Sequence, residues 1–357
     1  SREAKKLGVK TAMCTGEALR IIPNLPIIPG DPRKYSDITA RFLKILHERC
    51  DAVEQFSTDE AFADITTAGG DRLGAILLAQ MIRSDIINRI GATCTASIGI
   101  APNKVIANLA SESVKPHGST VVSQEDAMAF VASRKIDDIC GIGRQLQKRL
   151  ESLGVVSILT LQSTPLTVLT REFGPHTGNF LWNVSRGIGD DHVSSAEDDP
   201  KSVGHSYTFP RDLLTIDDVH RNLLALADMV ARRLRAQNLR ASTVTAFARY
   251  GDFGGNGLSI TLREPIDDGL ALFSAVFDAL RKTIDLDRGV RLLGITTSNL
   301  SSARATSLFR TDQRGELVTT SLDLITKKYG ASAWRRASTL NTAFFERVSG
   351  WHYDVPK

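Results

Sequence analysis

An α+β protein of two to four domains is what this 357-residue sequence predicts. Three features carry the prediction. A pair of acids sits between two short alternating apolar runs near residue 59, and helical periods alternate with short strands on either side of it. Beyond a small, acidic stretch at 188–200 the periods change in the order βαββαβ.

Bulk properties narrow the class. A hydrophobic content of 42% suits a packed core. No run of about 18 apolar residues exists, so no membrane span is expected. The opening Ser1-Arg2-Glu3-Ala4-Lys5-Lys6 is followed by no apolar h-region and does not read as a signal peptide. Cys14, Cys50, Cys94 and Cys140 form no C-x-x-C pair, which argues against a zinc ribbon or disulfide scaffold and suits a reducing cytoplasm. The seven histidines contain no H-E-x-x-H. A net charge of +4 is mild, but it is segregated. Arg232, Arg233, Arg235, Arg240 and Arg249 fall between Ala231 and Tyr250 with no acid, whereas Asp190, Asp191, Glu197, Asp198 and Asp199 crowd one segment. The basic stretch reads equally as a footprint for phosphates or as a solvated helix face.

Residues 1–30 are basic and leave through Pro23, Pro26, Pro29 and Gly30. Residues 35–50 predict a helix with Ile38, Phe42, Ile45 and Leu46 on one face. Phe56–Ile65 predicts two short strands with Asp59 and Glu60 at the turn or at the start of the second. Two carboxylates there could share hard cations such as Mg²⁺, which take oxygen ligands and keep positions open for phosphate. The competing reading is a solvated, charged turn on an edge strand.

A helix is expected over 71–90, with Leu73, Ile76, Leu77, Met81 and Ile82 facing the core and Gly91 as its stop. Thr93–Ile100 alternates as a strand, and Pro102 is expected in the first turn of a helix ending at Ser113. Gly141 and Gly143 then open a helix with Leu146, Leu150 and Leu153 inside, and its N-terminal N–H groups suit a phosphate. No strand ends at Gly141 and no third glycine follows, so a dinucleotide fold is not indicated. The pattern resembles a helix-hairpin-helix, which grips DNA backbone without reading sequence; a plain helical turn is the alternative.

After the 188–200 linker, strands are expected at Lys201–Phe209, Ser242–Tyr250, Leu258–Arg263 and Val290–Leu300, with helices at 217–237 and 267–285. One face of that sheet is left free and carries Lys201 and other polar side chains. The tail, 304–357, predicts a helix around Leu322–Lys328 and a polar end containing Trp351.

Seven short segments then occur in a telling order. They are Ser1-Arg2-Glu3-Ala4-Lys5-Lys6-Leu7-Gly8-Val9, Ser57-Thr58-Asp59-Glu60-Ala61-Phe62, Ser97-Ile98-Gly99-Ile100-Ala101-Pro102-Asn103-Lys104, Lys115-Pro116-His117-Gly118, Gly141-Ile142-Gly143, Lys201-Ser202-Val203-Gly204 and Arg291-Leu292-Leu293-Gly294-Ile295. Together they resemble the Y-family DNA polymerases, the translesion enzymes, and most closely their bacterial DinB (polymerase IV) branch. The last fifty or so residues look more like the ends of UmuC-type relatives.

The resemblance implies a right-hand polymerase. Residues 1–30 would be the remainder of the fingers, 31–119 the palm, 120–187 a helix-hairpin-helix thumb, 201–303 a βαββαβ little finger and 304–357 a tail. It also implies that Asp59 and Glu60 are two of three metal-binding carboxylates. Two Mg²⁺ ions would activate the primer 3′-hydroxyl and stabilise departing pyrophosphate. Lys5, Arg2 and Lys115 would face the triphosphate of the incoming deoxynucleotide. Ser57, Lys104, Gly141, Ile142, Gly143, Arg144, Lys201, Ser202 and Gly204 would contact primer–template DNA. Ser307, Leu308 and Phe309, within Ala305-Thr306-Ser307-Leu308-Phe309, resemble a sliding-clamp peptide whose usual leading glutamine is Ala305 here. A monomer is expected, in a bacterial cytoplasm and on the nucleoid when bound to DNA, serving DNA repair and the SOS response.

The sequence departs from the family in three ways. Arg2 stands where an aromatic residue is common, and Lys5 stands where an arginine does, keeping charge but losing the bidentate fork. The family's palm also opens with a strand bearing its first metal-ligand aspartate and then the aromatic residue that excludes ribonucleotides, and no Asp-x-Asp precedes Ser1. The expectation is therefore a fragment of an intact polymerase or a truncated product, with a palm sheet short of one strand and weak metal binding. Two functions compete: a template-directed, low-fidelity polymerase, and a non-catalytic remnant that grips primer–template. A helix-hairpin-helix glycosylase or nuclease would need a catalytic Asp or Lys directly after the Gly141 motif, and Asp190 and Asp191 lie about fifty residues on.

Overall fold

The computed structural model describes residues 1–195, 199–302, 310–330, 333–340 and 342, with the backbone alone for Arg2, 310–314 and Glu316. The chain divides into two compact units, Ser1–Glu197 and Asp198–Ser349.

In the first unit α1 (Arg2–Lys6) starts at Ser1, whose hydroxyl accepts the Ala4 N–H at 3.2 Å. After α2 (Thr15–Ile21), Asp31 caps α3 (Pro32–His47) by accepting the Lys34 N–H, with Pro32 at the first helical position. The predicted hairpin follows: β1 (Ala52–Gln55) pairs antiparallel with β2 (Ala61–Asp64), Gln55 opposite Ala61. A single turn, α4 (Thr66–Gly69), leads to α5 (Arg72–Arg89), capped by Asp71. Ile45, Cys50, Val53, Leu78, Ile82 and Ile86 make the core between these elements.

The buried face of α5 differs from the predicted one. Ala75, Leu78, Ala79, Ile82 and Ile86 are buried, while Leu73, Leu77 and Met81 are exposed. Ala75 lies against the Gly69 backbone, so small residues admit the neighbouring chain closely and turn the larger ones outward.

Only the end of the predicted strand at 93–100 joins a ladder: β3 (Ile98–Ile100) pairs in parallel with β4 (Ser119–Val121). Among the described residues β1–β2 and β3–β4 are separate two-stranded sheets. Between β3 and β4 in sequence, α6 (Lys104–Ser113) starts later than predicted. Asn103, not Pro102, begins it, accepting the Ile106 N–H at 3.1 Å and donating to the Gly187 carbonyl at 2.8 Å.

Next come α7 (Ala127–Ala132), a 3₁₀ turn (Ile136–Asp138), α8 (Arg144–Ser152), α9 (Ile158–Ser163) and α10 (Leu166–Ser185), which bends at Gly174 before Pro175. Leu153, predicted to face inward, is the C-cap of α8 and is exposed; Leu150 and Leu146 take the inner face. Ile106 and Leu109 of α6 share one core with Val131, Ile139, Leu150, Leu161, Leu169 and Leu181. Packing is therefore continuous across residues 119 and 120.

The second unit has the predicted βαββαβ order: β5 (Ser202–Leu213), α11 (Ile216–Ala236), β6 (Arg240–Tyr250), β7 (Gly255–Ile266), α12 (Gly269–Leu280) and β8 (Val290–Ser301). The strands lie antiparallel in the order β5-β8-β6-β7. Val219, Leu223, Leu226, Val230 and Leu234 of α11 are buried in its core as expected. The two edge strands run longer than predicted. Pro210 in β5 and Gly255, Gly257 and Pro265 in β7 read as breakers, yet an edge tolerates them because one side of the strand needs no partner.

The tail adds α13 (Arg310–Tyr329) and a 3₁₀ turn (Ala337–Thr339) to this unit. Arg235 makes a two-nitrogen ion pair with Asp323 at 2.6 and 2.9 Å, and Arg336 reaches both oxygens of Asp228. Such contacts engage three of the five arginines of the 231–250 basic run within the unit itself. Arg235 is taken by Asp323, Arg240 pairs with Asp267, and Arg233 donates to the Gly204 carbonyl. Arg249 is exposed.

His205 on β5 is 4% exposed, and among the described residues neither ring nitrogen has a hydrogen-bond partner. Burial, helped by the nearby Arg233 charge, holds its pKa down to about 4. The unfolded chain, with an ordinary imidazole near 6.5, therefore binds the proton first. Stability is full above about pH 6.5 and is lost as the pH falls through that value towards 4, by up to about 3 kcal/mol. His205→Leu should flatten this dependence in hydrogen exchange of β5 and β8 measured between those pH values.

Candidate active site

The connection between β1 and β2 is five residues, Phe56 to Glu60, and it is tied from several directions. The N–H groups of Phe56 and Ser57 both donate to the Glu60 carbonyl, at 2.9 and 3.0 Å. Gln55 Nε2 donates to the Ser57 carbonyl at 3.1 Å, and Thr39 Oγ1 on α3 donates to the Thr58 carbonyl at 2.5 Å. The Phe56 and Phe62 rings lie 5.2 Å apart. Asp59 is exposed and Glu60 half-buried.

The Ser57 hydroxyl lies between the two acids, 2.9 Å from Asp59 Oδ1 and 3.3 Å from Glu60 Oε2. One hydroxyl has one proton, so it serves the carboxylates in alternation. Ser57, expected at DNA, is thus engaged with the acids. Both carboxylates reach the Ser57 hydroxyl, and these oxygens brought together suit a hard divalent cation. Among the described residues no third His, Cys, Asp or Glu joins the pair.

The predicted cations lie on other elements. Lys5 is exposed on α1, and Arg2 belongs to the same helix. Lys115 follows α6, its ammonium paired with Glu112. Its loop is held by Arg83, which donates to the His117 carbonyl at 2.6 Å, and by the His117 N–H, which donates to Ser97 Oγ at 3.1 Å.

Lys104 is not an open cation. Its Nζ lies 3.1 and 3.2 Å from the Glu54 carboxylate oxygens and 2.6 Å from Asp190 Oδ2. Burial alone would lower its pKa, but hydrogen bonds to Asp190 and Glu54 outweigh that and hold it above the ordinary lysine value. The 188–200 segment is therefore not a free linker at its start, because Asp190 and Ser194 dock on α6 and β1.

Gly141 has φ +97°, and a Cβ there would meet Phe180 Cζ at 2.9 Å, so the turn requires glycine on both counts. Ile142 is buried and donates its N–H to the Ile139 carbonyl, which makes it the anchor of the turn. Gly143 starts α8 without a side-chain cap, and Gly143 and Arg144 are exposed. On the second unit Lys201 and Ser202 are exposed, and Gly204 lies under Thr296.

Sequence reasoning missed Glu54. The free, polar sheet face was expected, and the strands add its detail: cross-strand rows run Ser202-Ser298-Thr243-Thr261 and Gly204-Thr296-Thr245-Ser259. Ser307, Leu308 and Phe309 lie outside the described residues.

A carboxylate-bearing hairpin, a glycine turn opening a helix and a βαββαβ unit describe a class of enzyme that handles polynucleotides. Residues 1–112 match the model of the impB/mucB/samB family, 137–189 that of the DNA polymerase-iota thumb domain, and 200–309 that of the impB/mucB/samB family C-terminal domain. The chain is 33% identical over 300 residues to DNA polymerase IV of Desulfatibacillum aliphaticivorans, covering 84% of this chain and 75% of the relative. It is 31% identical to DNA polymerase IV of Streptococcus suis (strain 98HAH33), covering 84% and 83%. Its fold matches a solved Y-family DNA polymerase chimera, Dbh-Dpo4(243-245)-Dbh, with a TM-score of 0.75 at 25% identity, over 84% of this chain and 86% of that one. An insertion ternary complex of Dbh DNA polymerase matches with a TM-score of 0.55 at 26% identity, covering 83% and 85%. The chain belongs to the Y family of DNA polymerases, alongside the DNA polymerase IV enzymes. No helix among the described residues is long and apolar enough to cross a membrane.

Proposed function

We propose that this chain is a template-directed DNA polymerase of the translesion type, adding deoxynucleotides to a primer 3′ end, with its chemistry at Asp59 and Glu60. The carrying observation is the Ser57-bridged carboxylate pair, on a rigid turn of a chain whose family matches run from residue 1 to 309. Asp59 and Glu60 would hold divalent cation, Mg²⁺ and two ions in the complete site, which when bound supplies charge against the reacting phosphate and the 3′ oxygen. Lys5 and Lys115 bind the triphosphate as point charges and Arg2 through its guanidinium, with an attraction that grows as phosphoryl charge develops. The exposed backbone at Gly141 and Gly143, with Arg144, holds DNA phosphates. Lys201, Ser202, Gly204 and the hydroxyl face lie along the duplex, positioning it without reading bases.

In this reading residues 1–30 belong to the fingers, 31–119 to the palm, 120–187 to the thumb and 201–303 to the little finger. Ser307–Phe309 would contact a sliding clamp, and the protein works as a monomer in a bacterial cytoplasm. Its four free cysteines support a reducing compartment.

The test is single-nucleotide insertion on four templates that differ only in the templating base. The inserted nucleotide should follow the template; insertion indifferent to it would overturn the reading. Arg144→Ala should weaken primer–template binding several-fold and lower the salt slope by about one. An unchanged slope would remove Arg144 from the phosphate contacts. A second reading, a DNA-gripping remnant without synthesis, is favoured by one observation: among the described residues no third carboxylate joins Asp59 and Glu60.

A further inference from the structure

We propose that the Asp190 carboxylate stands in for a DNA phosphate on Lys104, occupying it in the DNA-free chain and yielding it when the primer strand binds. The inference rests on the reading of Lys104 as a phosphate contact. With Glu54 and Asp190 both on one ammonium, the cluster carries one net negative charge and would repel a phosphate. Lys104 can serve DNA only if one carboxylate leaves.

The two carboxylates are unequal. Glu54 is rooted in β1, its side chain 26% exposed, and it also accepts the Ser194 N–H at 3.0 Å. Asp190 likewise accepts a backbone N–H, that of His192 at 3.1 Å, but its side chain is 62% exposed, so solvent screens its pairing and makes it the exchangeable partner. Its departure need not undo the segment. The Lys104 N–H still donates to the Asp190 carbonyl at 2.9 Å, and Asn103 still holds the Gly187 carbonyl at 2.8 Å. A side-chain rotation at Asp190, which gives up the His192 N–H to solvent, is enough to open Lys104 to a phosphate oxygen, with α6 and the backbone beside it unmoved.

The experiment is a titration of labelled primer–template DNA at low salt with the full chain and four variants. Asp190→Asn keeps the side chain's shape and removes its charge; it should tighten binding by about three- to fivefold. Asp191→Asn removes the same charge one residue on, and should change affinity by less than about twofold. Lys104→Met should weaken binding, and adding Asp190→Asn to it should give no gain, because the competitor acts only through the lysine. If Lys104→Met leaves affinity unchanged, the phosphate reading of Lys104 fails. If Lys104→Met weakens binding but Asp190→Asn does not tighten it beyond Asp191→Asn, that reading stands and the stand-in proposal is overturned. Equal thermal transitions for Asp190→Asn and the unaltered chain exclude a folding effect.

Discussion

Asp59→Ala and Glu60→Ala should each lower nucleotide insertion by about a thousandfold or more while leaving primer–template affinity within about twofold. The reasoning is local. Both acids leave the same five-residue turn, and Ser57 touches both, so neither carboxylate can be replaced by a neighbour swinging in. Removing one leaves a single carboxylate among the described residues at that point. DNA affinity, in contrast, comes from phosphate contacts on other elements. Ser57→Ala separates the roles further. It removes the hydrogen bonds that pre-set the acids and no charge, so it should cost about tenfold in insertion. Single-turnover insertion beside a binding titration reads all three variants.

Gly99→Val should destabilise the first unit by about 4 kcal/mol or more, enough to abolish its cooperative unfolding transition. A Cβ at this position would lie 2.0 Å from the Ala107 carbonyl oxygen, 2.6 Å from the Ser111 nitrogen and 2.9 Å from Ala110 Cβ. The first two are backbone atoms of α6, with no flexible end to move aside, so the helix would have to lift from β3. That helix carries Ile106 and Leu109 into the core it shares with residues 120–187, and Lys104 at its start. Gly143→Ala is the control, since a Cβ there meets nothing within 4 Å. Denaturant unfolding of both variants should separate them by nearly the whole effect.

What was legible in the sequence was what local rules determine. The hairpin around Asp59 and Glu60, the Gly141 turn and the βαββαβ order follow from alternation, glycine chemistry and period. Partners distant in sequence were not legible. Arg235 looked like a surface cation because its acid, Asp323, comes 88 residues later. Lys104 looked open to DNA because Glu54 and Asp190 meet it from 50 residues before and 86 after. The buried face of α5 escapes a hydrophobicity ranking, which puts Leu73 and Leu77 above Ala75 and Ala79, because the close approach of Gly69 to Ala75 admits only a small residue there. The contact of the Ser57 hydroxyl with both carboxylates is likewise a product of the folded turn, which no local rule predicts.

The central claim is that the Asp59–Glu60 turn of this chain carries out metal-dependent, templated insertion. Its most direct test is insertion of one deoxynucleotide on a primer–template at rising Mg²⁺, with DNA binding followed in the same samples and Asp59→Ala alongside. The account predicts that binding persists without divalent cation. Insertion should appear only as Mg²⁺ is added, follow the template, and be absent in Asp59→Ala. Full DNA binding with no insertion at any Mg²⁺ concentration would contradict it and leave the chain a DNA-gripping protein.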